Sequence, residues 1–164
     1  MRILVSCQHY WPEPFNTGDV CEALVARGHE VTAITALPNT GMPGNDIPAE
    51  WRDPSRRDTV RNGVRVIRAD LHPRLSGGVN RVRNYLTFWH NANKIARGLD
   101  DGYDVALGYQ FSPVMQADPA LVWARKNCKK ALLYCFDLWP ASLLAGGFKE
   151  SSLPFKWMRS VSKR

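Results

Sequence analysis

Long apolar runs are missing from this 164-residue chain, the longest, such as Ala131 to Phe136, falling far short of the roughly 18 residues that a membrane span needs. The apolar stretch after Met1 and Arg2 breaks at Gln8 and His9 with no small-residue cleavage site behind it, so no signal peptide is read and a cytoplasmic protein is expected. The four cysteines, Cys7, Cys21, Cys128 and Cys135, show no two-residue spacing, which removes zinc knuckles and thioredoxin-type redox pairs and leaves buried or half-buried thiols as the expectation. His9, His29, His72 and His90 are scattered without the H-E-x-x-H spacing, and no metal site is expected. G-x-G-x-x-G, the lysine-containing phosphate loop and G-x-S-x-G are all lacking, which argues against nicotinamide or flavin enzymes, nucleotide triphosphatases and serine hydrolases. Internal repeats and low-complexity tracts are absent as well.

What is present is the composition of one soluble domain, 45% hydrophobic and 23% charged, with a formal charge of +7 that favours an anionic partner. Arg2 to Cys7, Glu30 to Ala36, Val64 to Arg68, Asp104 to Tyr109 and Ala131 to Phe136 read as short apolar, β-branched strands. Helical stretches lie between them: Gly18 to Ala26, closed by Gly28, and Asn80 to Leu99. Ser112 with Pro113 reads as the start of a helix running towards Asn127, kinked at Pro119. Helix resumes after Asp137, and Leu153 to Arg164 reads as a basic amphipathic helix. Leu37 to Pro54, with four prolines, is expected to be a long loop. Strands alternating with helices predict an α/β, Rossmann-like, doubly wound parallel sheet.

In such a sheet ligands bind outside the carboxyl ends of the strands, which selects the loop Gln8 to Asp19, the loop after Ala36, the pair Tyr109 and Gln110, and the segment Asp137 to Pro140. Asn16, Thr17 and Gly18 lead into a helix whose free N–H groups can receive a phosphate or sugar oxygen, although the preferred reading of the residues alone is that Thr17 merely caps this helix. Asp137, a lone carboxylate at a strand end, suits a general base and equally an N-cap for the helix holding Trp139 to Ala145. Arg74, Arg81, Arg83, Lys94 and Arg97 lie among Tyr85, Phe88 and Trp89, and Lys156, Trp157, Arg159, Lys163 and Arg164 follow. Basic residues beside aromatics fit a helix on an anionic membrane surface, or a solvated face on a packed helix. They match no nucleic-acid-binding pattern.

Five runs, taken in order, carry a resemblance: YWPEPFNTGDVCEALVARGHEVTAITALPN, NGVRVIR, RVRNYLTF, YDVALGYQFSPV and LLYCFDLWPASL. Together they resemble the amino-terminal half of bacterial family 4 glycosyltransferases, nearest the branch of colanic-acid, O-antigen and capsule biosynthesis enzymes. The resemblance implies the acceptor-side half of a GT-B fold, spanning residues 1 to 164, with the donor-binding domain absent from this chain. It implies retaining transfer from a nucleotide sugar without a metal or other cofactor, to a saccharide acceptor that is expected to be lipid-linked, at the inner face of the plasma membrane. Carried onto this sequence, Asn16, Thr17 and Gly18 match a loop near the donor phosphates, Gln110 falls where the family places a cleft-facing polar residue, beside Tyr109 at the strand end, Asp137 matches an acceptor-activating position, and Glu13 is a further acceptor contact. Ala141 stands where relatives often carry Glu, and the loop has one glycine where many have two. Little activity is expected of the chain alone, and a non-catalytic binding module or a subunit of a split transferase is the alternative.

Overall fold

A computed structural model describes residues 1–163. Six strands, β1 (Arg2–Ser6), β2 (Glu30–Ala36), β3 (Asp58–Arg61), β4 (Val64–Ala69), β5 (Val105–Gln110) and β6 (Lys130–Cys135), form one sheet in the order β3-β4-β2-β1-β5-β6. All neighbouring pairs are parallel except β3 with β4. The chain leaves β1 towards β2 on one side and reaches β5 on the other, so the topological switch point, where an open α/β sheet binds its ligands, lies between β1 and β5. The expected Rossmann-like α/β fold is therefore observed.

Alternation along the strands splits the core into two layers. Leu4, Ile34 and Ala106 face α2 (Gly78–Gly98) and α3 (Asp118–Lys126), where they meet Phe88 and Trp123. Val5, Ala33 and Val66 turn the other way and pack with Cys21 of α1 (Thr17–Ala26) and with Tyr10. In α2 the buried positions Asn84, Phe88, Ala92 and Ala96 recur every fourth residue, so one stripe of the helix lies on the sheet. That stripe is apolar except at its first position, where Asn84 is carried to the carboxyl ends of the strands.

Several sequence expectations are corrected. The sheet has a sixth strand, β3, and it is antiparallel, because Asn62 (φ 46°) and Gly63 (φ 81°) both adopt positive φ and close a tight hairpin into β4. Gly63 is required there twice over, since a Cβ would also stand 2.7 Å from Val25 Cγ1. The stretch expected as one loop contains the short 3₁₀ turns Pro43–Asn45, Ala49–Arg52 and Pro54–Arg56. Ser112 and Pro113 do not start a helix: Pro113 is extended (ψ 174°), a short turn follows over Val114–Ala117, and α3 begins at Asp118 with Pro119 in its first turn. Thr17 is inside α1, and Asn16 takes the cap position without a side-chain cap bond. After β6 the helix is reduced to α4 (Ser142–Ala145), and α5 covers Leu153–Val161. Arg164 lies outside the described residues. All four cysteines are free, with Cys7 and Cys21 buried as expected but Cys128 and Cys135 exposed.

Candidate functional site

The crevice beyond the carboxyl ends of β1, β5 and β6 is built from three loops, and the segment after β6 brings Asp137 to it. Gln110, the last residue of β5, is buried and donates from Nε2 to the Asp137 carbonyl oxygen at 2.7 Å, while the Phe136 N–H donates to the Gln110 carbonyl at 3.0 Å. The two strand ends are thereby locked in register. The Asp137 side chain does not cap a helix: α4 starts at Ser142, with Ala141 in the cap position. Instead its Oδ2 accepts a short hydrogen bond from the Ser112 hydroxyl. One of the two weighed roles for Asp137, the N-cap, is removed by this geometry.

Ser112 also lines a cavity of about 530 Å³ between the first half of α2 and the α4–α5 segment. Val82, Leu86, Met115, Leu143, Phe148, Trp157 and Met158 give it an apolar wall, and Arg74, Arg81, Ser112 and Trp139 bring the polar groups. Such a balance is usual for a small-molecule site. Among the described residues neither guanidinium has a carboxylate in ion-pair reach, although Arg74 lies 5.5 Å over the Tyr85 ring. The buried Trp139 Nε1 has no hydrogen-bond partner among the described residues.

Tyr109 stands at the switch point, stacked on Tyr134 at 5.1 Å and donating its hydroxyl to Asn16 Oδ1 at 3.1 Å. Burial, followed by the neighbouring Tyr134, pushes its phenol pKa up, so the hydroxyl keeps its proton and remains a donor. Thr17 and Gly18 are buried behind Asn16, and a Cβ on Gly18 would touch the Tyr10 ring at 3.8 Å. What this segment offers a ligand is backbone N–H from the first turn of α1, next to Asp19.

Glu13 does not line the cavity. It is 4% exposed, its Oε1 accepting from the Asn39 N–H (2.7 Å), the Thr40 N–H (2.6 Å) and Asn39 Nδ2 (3.3 Å). Its Oε2 lies 2.7 Å from His9 Nδ1, and the His9 ring stacks on Phe15 at 4.3 Å. From Asn39 a buried polar chain continues: Asn84 Nδ2 donates to Asn39 Oδ1 (3.0 Å), Gln8 Nε2 to Asn84 Oδ1 (2.7 Å), and Gln116 Nε2 to Gln8 Oε1 (2.9 Å). Gln116 Nε2 also donates to the Ser112 carbonyl. One hydrogen-bonded network thus runs under the strand ends from His9 to the loop that carries Ser112. Sequence reasoning missed Gln8, Asn39, Asn84, Gln116 and the Ser112 contact.

A family model described as a glycosyl transferase 4-like domain matches residues 16–164, nearly the whole chain. The chain belongs to this family. No curated protein matches it. In this glycosyl transferase 4-like domain the matched region holds Asn16, Thr17, Gly18, Tyr109, Gln110 and Asp137, whereas Glu13 precedes it. Among the described residues no three His, Cys, Asp or Glu side chains converge as a metal site, and no helix is long and apolar enough to cross a membrane.

Proposed function

We propose that the chain is the acceptor-binding half of a retaining, metal-independent glycosyltransferase, which moves a sugar from a nucleotide-sugar donor to a lipid-linked saccharide in cell-surface polysaccharide biosynthesis of the colanic-acid, O-antigen or capsule kind. The observation that carries this reading is the Ser112–Asp137 pair at the edge of a cavity with an apolar wall and two guanidiniums free of acidic partners. Arg74 and Arg81 suit the phosphates of the acceptor, because planar guanidinium donors bind phosphate oxygens in pairs. The wall of Val82, Leu86, Phe148 and Trp157 takes the apolar chain next to them. Asp137 takes the proton of the acceptor hydroxyl as that oxygen bonds to the anomeric carbon and the nucleoside diphosphate leaves. Ser112 holds one carboxylate oxygen and, among the described residues, leaves Oδ1 without a partner. Asn16, Thr17 and Gly18 approach the donor phosphates through the first turn of α1. In this reading the donor is bound by a second domain that faces the strand ends.

Acceptor binding tests the assignment of the cavity. Each charge-assisted hydrogen bond is worth about 1.5–3 kcal/mol, so Arg74→Gln with Arg81→Gln should weaken binding of a detergent-soluble prenyl-diphosphate saccharide by about a hundredfold to ten-thousandfold, read by calorimetry. Unchanged affinity would overturn it.

The acceptor's lipid places the enzyme at the inner face of the plasma membrane. Exposed Leu153 and Trp157 of α5 and Val79 and Val82 of α2 lie among Lys156, Arg159, Arg81 and Arg83, an arrangement suited to anionic headgroups. The chain should therefore float with vesicles containing phosphatidylglycerol, lose them at high salt, and ignore phosphatidylcholine. Equal binding to both vesicles would remove the electrostatic argument.

A further inference from the structure

A second cavity, of about 410 Å³, lies at the β3–β4 edge of the sheet, away from Asp137, and is lined by Trp11, Trp51, Arg56, Arg61, Asn62 and Arg68 among others. Arg68 is its floor. The residue is 3% exposed, because its position on β4 is on the same side as Val64 and Val66, facing the buried layer under α1. Its Nη2 donates to the Trp11 carbonyl at 3.0 Å, but Nε and Nη1 are buried with no acceptor among the described residues. No carboxylate among the described residues lies within ion-pair distance of it. Neighbouring arginines differ: Arg57 is held by Asp70 at 2.7 Å and Arg65 by Asp58 at 2.6 Å.

Burying a guanidinium without a counter-ion is unfavourable. Desolvation pulls the Arg68 pKa down to about 10, which leaves it a cation at neutral pH. Trp51 compensates part of this, with the Arg68 guanidinium 4.6 Å from its ring, but a ring face does not satisfy the in-plane N–H groups. Two more cations converge on the same indoles, Arg61 at 4.1 Å over Trp11 and Arg56 at 5.3 Å over Trp51. Against these three charges stand Glu22, 3.4 Å from Arg61 Nε, and the buried Glu13, which acts on Arg68 beyond ion-pair distance.

We propose that this cavity binds a phosphate group, with the Arg68 Nε and Nη1 donors on its inner oxygens and Arg56 and Arg61 closing over the outer ones. The net positive charge favours an anion, and a guanidinium presents paired donors that match phosphate oxygens. The group is carried either by a soluble ester or by a lipid headgroup. This site is independent of the transferase reading, which places its chemistry at Asp137.

Inorganic phosphate is the probe. At constant ionic strength, with chloride or acetate as the matched anion, phosphate should raise the thermal midpoint of the chain and change its tryptophan fluorescence saturably. Arg56→Gln with Arg61→Gln, both outside the core, should keep the circular dichroism spectrum and weaken the phosphate response at least tenfold, and Arg56→Gln alone should weaken it less. Each comparison is made in an Arg74→Gln, Arg81→Gln background, so that the guanidiniums assigned to the acceptor phosphates do not contribute to the response. No saturable response, an equal response to acetate, or a response that survives Arg56→Gln with Arg61→Gln would overturn the proposal. Given a response, flotation on phosphatidic acid vesicles distinguishes the source: weaker flotation of the same variant assigns a lipid headgroup, and unchanged flotation assigns a soluble ester.

Discussion

Asp137→Asn, in a protein that joins this domain to its donor half, should lower kcat by about a hundredfold to ten-thousandfold, the range for loss of a positioned general base. The fold should survive the change. Gln110 binds the backbone carbonyl of residue 137, which the substitution leaves in place, and an asparagine side-chain oxygen still accepts the Ser112 hydroxyl that Asp137 Oδ2 now accepts. Only the capacity to take a proton is removed. Steady-state kinetics beside a thermal melt therefore separates the two readings of the chain: a fallen kcat with an unmoved midpoint and acceptor KM supports proton removal by Asp137, because the loss is confined to the transition state. Unaltered turnover would make the domain a passive holder of its ligand.

The place of Asp137, just past the carboxyl end of a parallel strand, was legible because it needs only the strand's position in the sequence. Its competing role, a helix cap, was settled by where the helix starts, and a pattern of polar residue followed by proline does not settle that. Ser112–Pro113 and Asp118–Pro119 both carry the pattern, and only the second begins a helix. The first is held extended beside Asp137, a neighbour 25 residues away. The parallel core was readable from its short β-branched runs. Strand β3 was overlooked although Asn62-Gly63 is a strong local hairpin signal, since Asp58–Arg61 has little apolar content and both its partly buried positions are polar. The polar network has no local signature at all. Gln8 and Gln116 are 108 residues apart, and each amide reads as an ordinary surface residue until the sheet closes over it.

Glu13 shows the same gap between sequence and structure, with the larger consequence for stability. Read from the sequence as an acceptor contact, it sits in the fold as the acceptor for the amides that begin the loop after β2. Glu13→Ala should lower stability by about 3–5 kcal/mol, the combined cost of several buried donors left unsatisfied at about 1–3 kcal/mol each. For a domain of this size each kcal/mol lowers the thermal midpoint by about 2–4 °C. The cost is high because the substitution strands several partners at once: the Asn39 and Thr40 N–H groups and His9 Nδ1 would all lose their acceptor inside a region where water does not replace it. Glu13→Gln should cost clearly less, because one amide oxygen still receives the two backbone N–H groups. The comparison also probes the site, since Asn39 bonds Asn84 and accepts from the Arg74 N–H at 3.2 Å. If the network positions the cavity wall, Glu13→Ala should weaken acceptor binding at temperatures well below its melt, whereas Glu13→Gln should bind nearly as the parent does. A fall in stability with acceptor affinity unmoved would confine Glu13 to the loop and leave Arg74 positioned by α2 alone.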